Sequence, residues 1–115
     1  MKTIIAGTRT YQPTAADAAW LDHNRHRITE VVCGNARGPD TFGRQWAYGH
    51  RIPVTIFAAD WDGKGRMAGY LRNSEMARYA DVLVAFWDGQ SFGTKHMIQC
   101  AKHRGLKIIV RRVTA

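Results

Sequence analysis

Five short apolar runs, each followed by a turn-forming stretch and separated by segments of helical length, limit the folds open to this chain more than any other feature. They cover residues 3–6, 29–33, 53–58, 81–87 and 107–110. Each is continuous rather than alternating in and out, the pattern of strands covered on both faces. Such strands, alternating with helices, need right-handed crossovers. The expected fold class is therefore α/β, a Rossmann-like three-layer sandwich with a five-stranded, mainly parallel sheet. The length of 115 residues suits one domain, read as residues 1–115.

The intervening segments carry helix signals. Thr14 and Asp17 form a capping box just after Pro13, for a helix through Trp20 and Leu21. Asp40 is the expected cap of a helix carrying Phe42, Trp46 and Ala47 that stops near Gly49. Residues 60–80 read as irregular and then helical over 67–71 and 74–79, with Arg72-Asn73-Ser74-Glu75 opening the second piece. Thr94 is the expected cap of the last helix, with Met97, Cys100 and Ala101 on one face. The helices bearing Trp20 and Trp46 offer an apolar face either to the core or to a homo-oligomer.

Composition narrows the function classes. Hydrophobic residues make up 45% and charged residues 23%, ordinary for a folded globule. No apolar run reaches the roughly 18 residues of a membrane span, so no membrane partner is expected. The apolar stretch after Met1 is too short for a signal peptide. Two cysteines, Cys33 and Cys100, make no disulfide framework and read as packing residues, which points to the reduced cytoplasm. No His, Cys or acid spacing fits a metal site, and neither metal nor cofactor is expected. Lys and Arg number 17 against 9 Asp and Glu, a net charge of +8, and arginine outnumbers lysine. Guanidinium groups suit bidentate phosphate recognition, so an anionic partner is expected, a nucleotide or a nucleic acid.

Three runs end in glycine-containing loops: Gly7-Thr8-Arg9, Gly34-Asn35-Ala36-Arg37-Gly38-Pro39-Asp40, and Asp88-Gly89-Gln90-Ser91-Phe92-Gly93-Thr94. In an open α/β sheet the carboxyl ends of the strands line the ligand crevice. With strand order 3-2-1-4-5 the first and third loops face each other across the switch point. Glycine lets backbone N–H groups approach a phosphate, and a following helix N-terminus adds positive potential. Arg9 and Arg37 are the expected phosphate clamps. Asp60 and Trp61 follow the third run at the same edge, where Trp61 suits base stacking and Asp60 ribose hydroxyls. Arg72 and Asn73 are expected to face the crevice. Among the histidines, His23, His26, His50 and His103 read as exposed, while His96 lies near the third loop.

These residues resemble the SLOG superfamily of Rossmann-like nucleotide-binding domains. The likeness is to its small YspA-like (YpsA-related) branch, known mostly from bacteria and phages. It rests on Ala6-Gly7-Thr8-Arg9, the stretch from Gly34 through Asp40, Ala59-Asp60-Trp61, Ala68-Gly69-Tyr70-Leu71-Arg72-Asn73, Glu75-Met76, and Ala85-Phe86-Trp87-Asp88-Gly89 with Ser91, Gly93 and Thr94. The resemblance implies a nucleotide or nucleotide-derived ligand at the loops, of the adenine nucleotide or ADP-ribose type. Two more distant likenesses imply different activities. In the Lonely guy phosphoribohydrolases, which cleave the N-glycosidic bond of nucleoside monophosphates, an Arg and a Gly-Thr-x-x-Glu motif match Arg72 and Gly93-Thr94. The Glu position is Met97 here, which cannot act as a base or stabilise an oxocarbenium-like charge. Arg72 and Glu75 are the remaining catalytic candidates. DNA-processing protein A matches at Gly7-Thr8-Arg9, at Gly34 through Asp40 and at Arg72-Asn73, implying single-stranded nucleic acid as the alternative partner, with Trp61 or Trp87 to stack bases.

Overall fold

The computed structural model describes residues 1–65 and 67–114. Its elements are β1 (Lys2–Gly7), α1 (Ala15–His23), a 3-10 turn (Arg25–Arg27), β2 (Glu30–Cys33), α2 (Pro39–Gly49), β3 (Val54–Ile56), α3 (Trp61–Lys64), α4 (Met67–Tyr79), β4 (Val82–Trp87), α5 (Phe92–His103) and β5 (Lys107–Arg112). The strands form one sheet in the order β3-β2-β1-β4-β5, with every pair parallel. The α/β three-layer arrangement is the one expected from the sequence, and the strand order is the one on which the facing of the first and third loops is conditional.

Two apolar layers hold the sheet. On one face Ile5, Val31, Val84 and Phe86 pack with Leu21 of α1 and with Trp46 and Ala47 of α2. On the other, Ile4, Val32, Leu83 and Ala85 pack with Met76 and Ala77 of α4 and with Met97, Ile98 and Ala101 of α5. The inner strands are buried on both faces, as continuous apolar runs require. Burying one side chain of this kind contributes roughly 1.5–3 kcal/mol. The edge strand β5 departs from that pattern. Ile108 and Ile109 are half-buried and Val110 is exposed, because two helices on each face do not reach across five strands. Trp46 is buried, and Trp20 is half-buried beneath the Arg111 guanidinium, 4.6 Å from its ring. The core therefore takes up both tryptophans.

Local chemistry sets the helix ends, with three departures from the sequence reading. The Thr14–Asp17 capping box is present, and the buried Asp17 carboxylate also accepts from the Tyr11 hydroxyl. Asp40 does not cap α2. Gly38 does, at φ 75°, with Pro39 at the first helical position, and a Cβ on Gly38 would lie 2.9 Å from the Arg9 carbonyl oxygen. Thr94 does not cap α5, whose N-cap is Ser91. The third departure is α4, one continuous helix, so Arg72 and Asn73 lie in its middle rather than at an opening. Of the histidines, His50 is half-buried against Trp46 and lies 3.0 Å from Asp22. Removing the capping hydroxyl by Thr14→Ala is expected to destabilise the fold by about 1 kcal/mol, a Tm loss of roughly 4 °C by calorimetry. An unchanged Tm would show that Asp17 alone holds the helix start.

Candidate functional site

Because all strands are parallel, every strand-to-helix loop leaves the same edge. Because β1 lies between β2 and β4, the chain leaves β1 and β4 toward opposite faces and opens a cleft between them. The cleft has a volume of about 730 Å³. Gly7, Arg9, Gly34, Asn35, Ala36, Arg37, Asp40, Trp61, Arg72, Asn73, Ser91, Gly93 and Thr94 all line it. Five other residues singled out in the sequence do not. Thr8, Gly38, Asp60 and Asp88 shape the loops from outside the cleft, and Glu75 is exposed away from it.

The first and third loops are tied together. The Thr8 N–H donates to the Phe86 carbonyl at 2.9 Å, and the buried Thr8 hydroxyl accepts the Asp88 N–H at 3.2 Å. The Asp88 carboxylate in turn accepts the N–H groups of Gln90 and Ser91, each at 2.9 Å. Those N–H groups, Ser91 first, hold its carboxyl below the usual aspartate range. Gly7 is glycine for a packing reason, since a Cβ there would collide with the Phe86 carbonyl oxygen. Trp87 donates its indole N–H to the Ser91 carbonyl at 3.1 Å, packs half-buried against the core and does not line the cleft.

The second loop is organised by Asp40. Its side chain is 5% exposed and accepts the N–H groups of Gly34 at 3.1 Å and Ala36 at 3.2 Å. Burial pushes the carboxyl above the ordinary aspartate range, while the Ala36 N–H and the Arg72 guanidinium act in the opposite sense. Thr41 donates to the Ala36 carbonyl at 2.8 Å, and Arg44 donates to the Asn35 side chain at 2.9 Å. These bonds fix the loop around Arg37 but leave Arg37 itself exposed.

The arginines divide into two kinds. Arg72 is part of the wall: it donates to the Gly34 carbonyl and, at 3.2 Å, to the Asn73 side chain. Burial pulls its guanidinium below the ordinary range, Asp40 counters this, and Arg9 adds to it. A Cβ on Gly34 would lie 2.7 Å from that guanidinium, so Gly34 makes room for Arg72. Arg9 and Arg37 are exposed on the cleft and form no ion pair among the described residues. Opposite them, the first turn of α5 presents backbone N–H groups at Phe92, Gly93 and Thr94 with no side-chain cap. The Ser91 hydroxyl is 3.3 Å from that of Thr94 instead.

Aromatic side chains form the other wall. Trp61 is 57% exposed, with its ring edge over Gly69, and Tyr70 and Phe92 are exposed at the same rim. Asp60 accepts the Gly63 N–H at 3.0 Å and caps α3, so its part is to set Trp61 in place. In the sequence Tyr70 and Phe92 stand only within motifs, with no ligand role for either. Gly69, Arg72, Asn73 and Met76 follow the i, i+3, i+4, i+7 spacing of one helical face, a signal legible once α4 is read as unbroken. Below that face Asn73 lies 3.2 Å from His96 Nδ1 and donates to the Gly93 carbonyl at 3.3 Å. His96 also packs on the Tyr70 ring, and burial lowers its pKa.

A second depression of about 430 Å³ lies between α1 and β5. Its Arg111 is occupied by Trp20 and by Asp17, 3.8 Å away. Among the described residues no cluster has metal-ligand composition, and no helix is long and apolar enough to cross a membrane.

The chain is similar to the "Gene 61 protein" of Mycobacterium phage D29, with 36% identity over 117 residues, 94% of each chain. No protein-family model matches it, and no solved structure does.

Two outcomes are expected from this arrangement. Asp40→Ala strands two backbone N–H groups and should destabilise the protein by about 2–3 kcal/mol, roughly 8–12 °C in Tm, with a smaller loss for Asp40→Asn. A loss no greater than that of an exposed Asp62→Ala control would contradict the role given to Asp40. The folded pKa of His96 lies below its ordinary 6.5, so the unfolded chain takes up the proton first as pH falls. Stability from neutral His96 is thus full above about pH 6.5 and is lost as pH falls through the depressed value. Between about pH 7 and 5 the Tm of the wild type should fall more steeply than that of His96→Gln. Parallel Tm curves would refute the assignment.

Proposed function

We propose that this chain, which belongs to the family of the Gene 61 protein of Mycobacterium phage D29, binds a nucleotide or nucleotide-derived ligand of the adenine nucleotide or ADP-ribose type in the cleft. One observation carries the reading. Two exposed guanidinium groups, Arg9 and Arg37, stand on a cleft that also holds the open N-terminus of α5. Phosphate oxygens are the ligand chemistry that satisfies both, since the arginines supply charge-assisted forks and the helix start supplies N–H donors and positive potential. Exposed Trp61 and Tyr70 at the other wall suit a base or a second ring. The SLOG resemblance points the same way.

The role is sensing or sequestering the ligand, ahead of hydrolysing it. N-glycosidic cleavage draws on a carboxylate beside the sugar. Asp40 is the one carboxylate lining the cleft among the described residues, and the loop backbone engages it. Met97 also lines the cleft, where the phosphoribohydrolases carry their Glu.

Thermal shift and calorimetric titration with AMP, ADP-ribose and NAD test the reading. At about 100 times its Kd a ligand should stabilise the protein by roughly 2.7 kcal/mol, a shift of several degrees. Arg37→Ala and Arg9→Ala should each weaken binding by about ten- to a hundredfold with little change in the ligand-free Tm, because each removes an exposed charged donor. Wild-type affinity in both variants, or silence across the three ligands, would remove the proposal.

A further inference from the structure

A parallel sheet has two unlike poles, and the cleft occupies only the carboxyl one. The opposite pole gathers the amino ends of the strands, the carboxyl ends of α1, α2, α4 and α5, and the 3-10 turn. Hydrogen bonds from backbone and side chains join these segments into one surface. Met1 donates its amino group to the Arg27 carbonyl at 2.9 Å, and Arg25 donates to the His50 carbonyl at 3.2 Å. Further along, Lys2 donates to the Asp81 carboxylate at 2.9 Å, and the Lys107 N–H reaches the Asp81 carbonyl at 3.2 Å. The α5 end closes the arc, with Leu106 bonded to the Ala101 carbonyl at 3.0 Å.

The arc is strongly basic. Arg25, Arg27 and Arg51 are exposed at one end, and Lys102, Arg104 and Lys107 at the other. None of the six forms an ion pair among the described residues. Of the chain's nine carboxylates, Asp22, Glu30 and Asp81 lie at this pole, each of them engaged, and Glu75 stands one turn from it in α4. Asp22 accepts the Trp46 indole N–H at 2.9 Å, Glu30 accepts the Thr55 and Tyr79 hydroxyls, and Asp81 accepts the Lys2 N–H. Helix carboxyl ends favour basic residues, but each end carries only about half a unit of negative charge. Four such ends do not offset these six exposed cations together with Lys2.

We infer that this amino-end pole docks the phosphate backbone of a nucleic acid, on the face opposite the nucleotide cleft. Row upon row of phosphates is the partner chemistry that matches a broad arc of exposed cations whose depression between Arg27 and Lys107 holds only about 40 Å³. The single-stranded nucleic acid reading of the sequence set this partner on the glycine loops. There, the carboxylates Asp17, Asp40, Asp60, Asp62 and Asp88 are interspersed with the basic residues. The pole inference does not rest on the cleft's ligand and stands if that reading fails.

Fluorescence anisotropy of a labelled duplex and a labelled oligo-dT, titrated with the full chain from about 50 to 200 mM salt, tests it. The wild type should bind with a steep salt slope on a log–log plot. Arg25→Gln/Arg27→Gln/Arg51→Gln should weaken binding at the lowest salt by more than tenfold and lower the slope by about two to three. Lys102→Gln/Arg104→Gln/Lys107→Gln should act similarly, so the test survives if one variant fails to fold. Lys64→Gln/Lys95→Gln, which removes charge near the cleft end, should change binding far less per charge. Stronger binding to one probe assigns single-stranded or duplex geometry to the pole. Wild-type binding by both triple variants overturns the inference. So does an equal per-charge effect of the control, or a wild type that binds poly-glutamate or anionic vesicles but neither nucleic acid.

Discussion

The pairing of β1 with both β2 and β4 is the constraint on which the rest of the molecule depends. β1 is the first strand in the chain and the middle one in space. The chain therefore winds outward from it twice, first through β2 and β3 and then, after crossing back, through β4 and β5. Each half needs right-handed crossovers, which send α1 and α2 to one face and α4 and α5 to the other. The loops after β1 and β4 then diverge, and the space between them is the cleft. The opposite pole, where no loops diverge, has no equivalent opening and carries a basic arc instead.

Around the cleft, the arginines differ in what they touch. Arg72 is enclosed by the Gly34 carbonyl and Asn73, with the buried Asp40 nearby compensating part of its desolvation. It behaves as a beam between α4 and the second loop. Among the described residues, Arg9 and Arg37 form no ion pair. Exposed cations of that sort keep their hydration until a partner arrives, so their charge remains available for an anion. The glycines divide in the same way. Gly7, Gly34 and Gly38 are required by neighbouring protein atoms, and so they testify to tight packing of the loops more than to ligand approach.

Departures from the sequence reading have physical causes. Asp40 and Thr94 both have the composition of helix caps, but Asp40 sits two residues and Thr94 three residues past the actual N-cap. Gly38-Pro39 starts α2 earlier because proline at the first helical position gives up an N–H that is unpaired there anyway. That shift frees Asp40 to turn back to Gly34 and Ala36. Residues 67–79 read as two pieces because Gly69, Asn73 and Ser74 are weak helix formers, yet packing of Ala68, Met76 and Ala77 against the core overrides propensity. The unbroken helix brings Tyr70 into the cleft wall beside Arg72 and Asn73. Phe92 joins them by its position at the start of α5, with no sequence signal beyond its neighbours.

By itself the sequence determined the fold class and the edge of the sheet where loops with arginines would gather. Those follow from apolar runs, glycine punctuation and crossover handedness, all of which are local or topological. Tertiary structure alone decided which of those residues face open space. Thr8, Gly38, Asp60 and Asp88 hold the loops, while Arg9, Arg37 and Trp61 face open space. That division depends on which backbone N–H and carbonyl groups each side chain finds across the fold, and partners such as Gly34 and Arg72, 38 residues apart, meet only once the sheet is assembled.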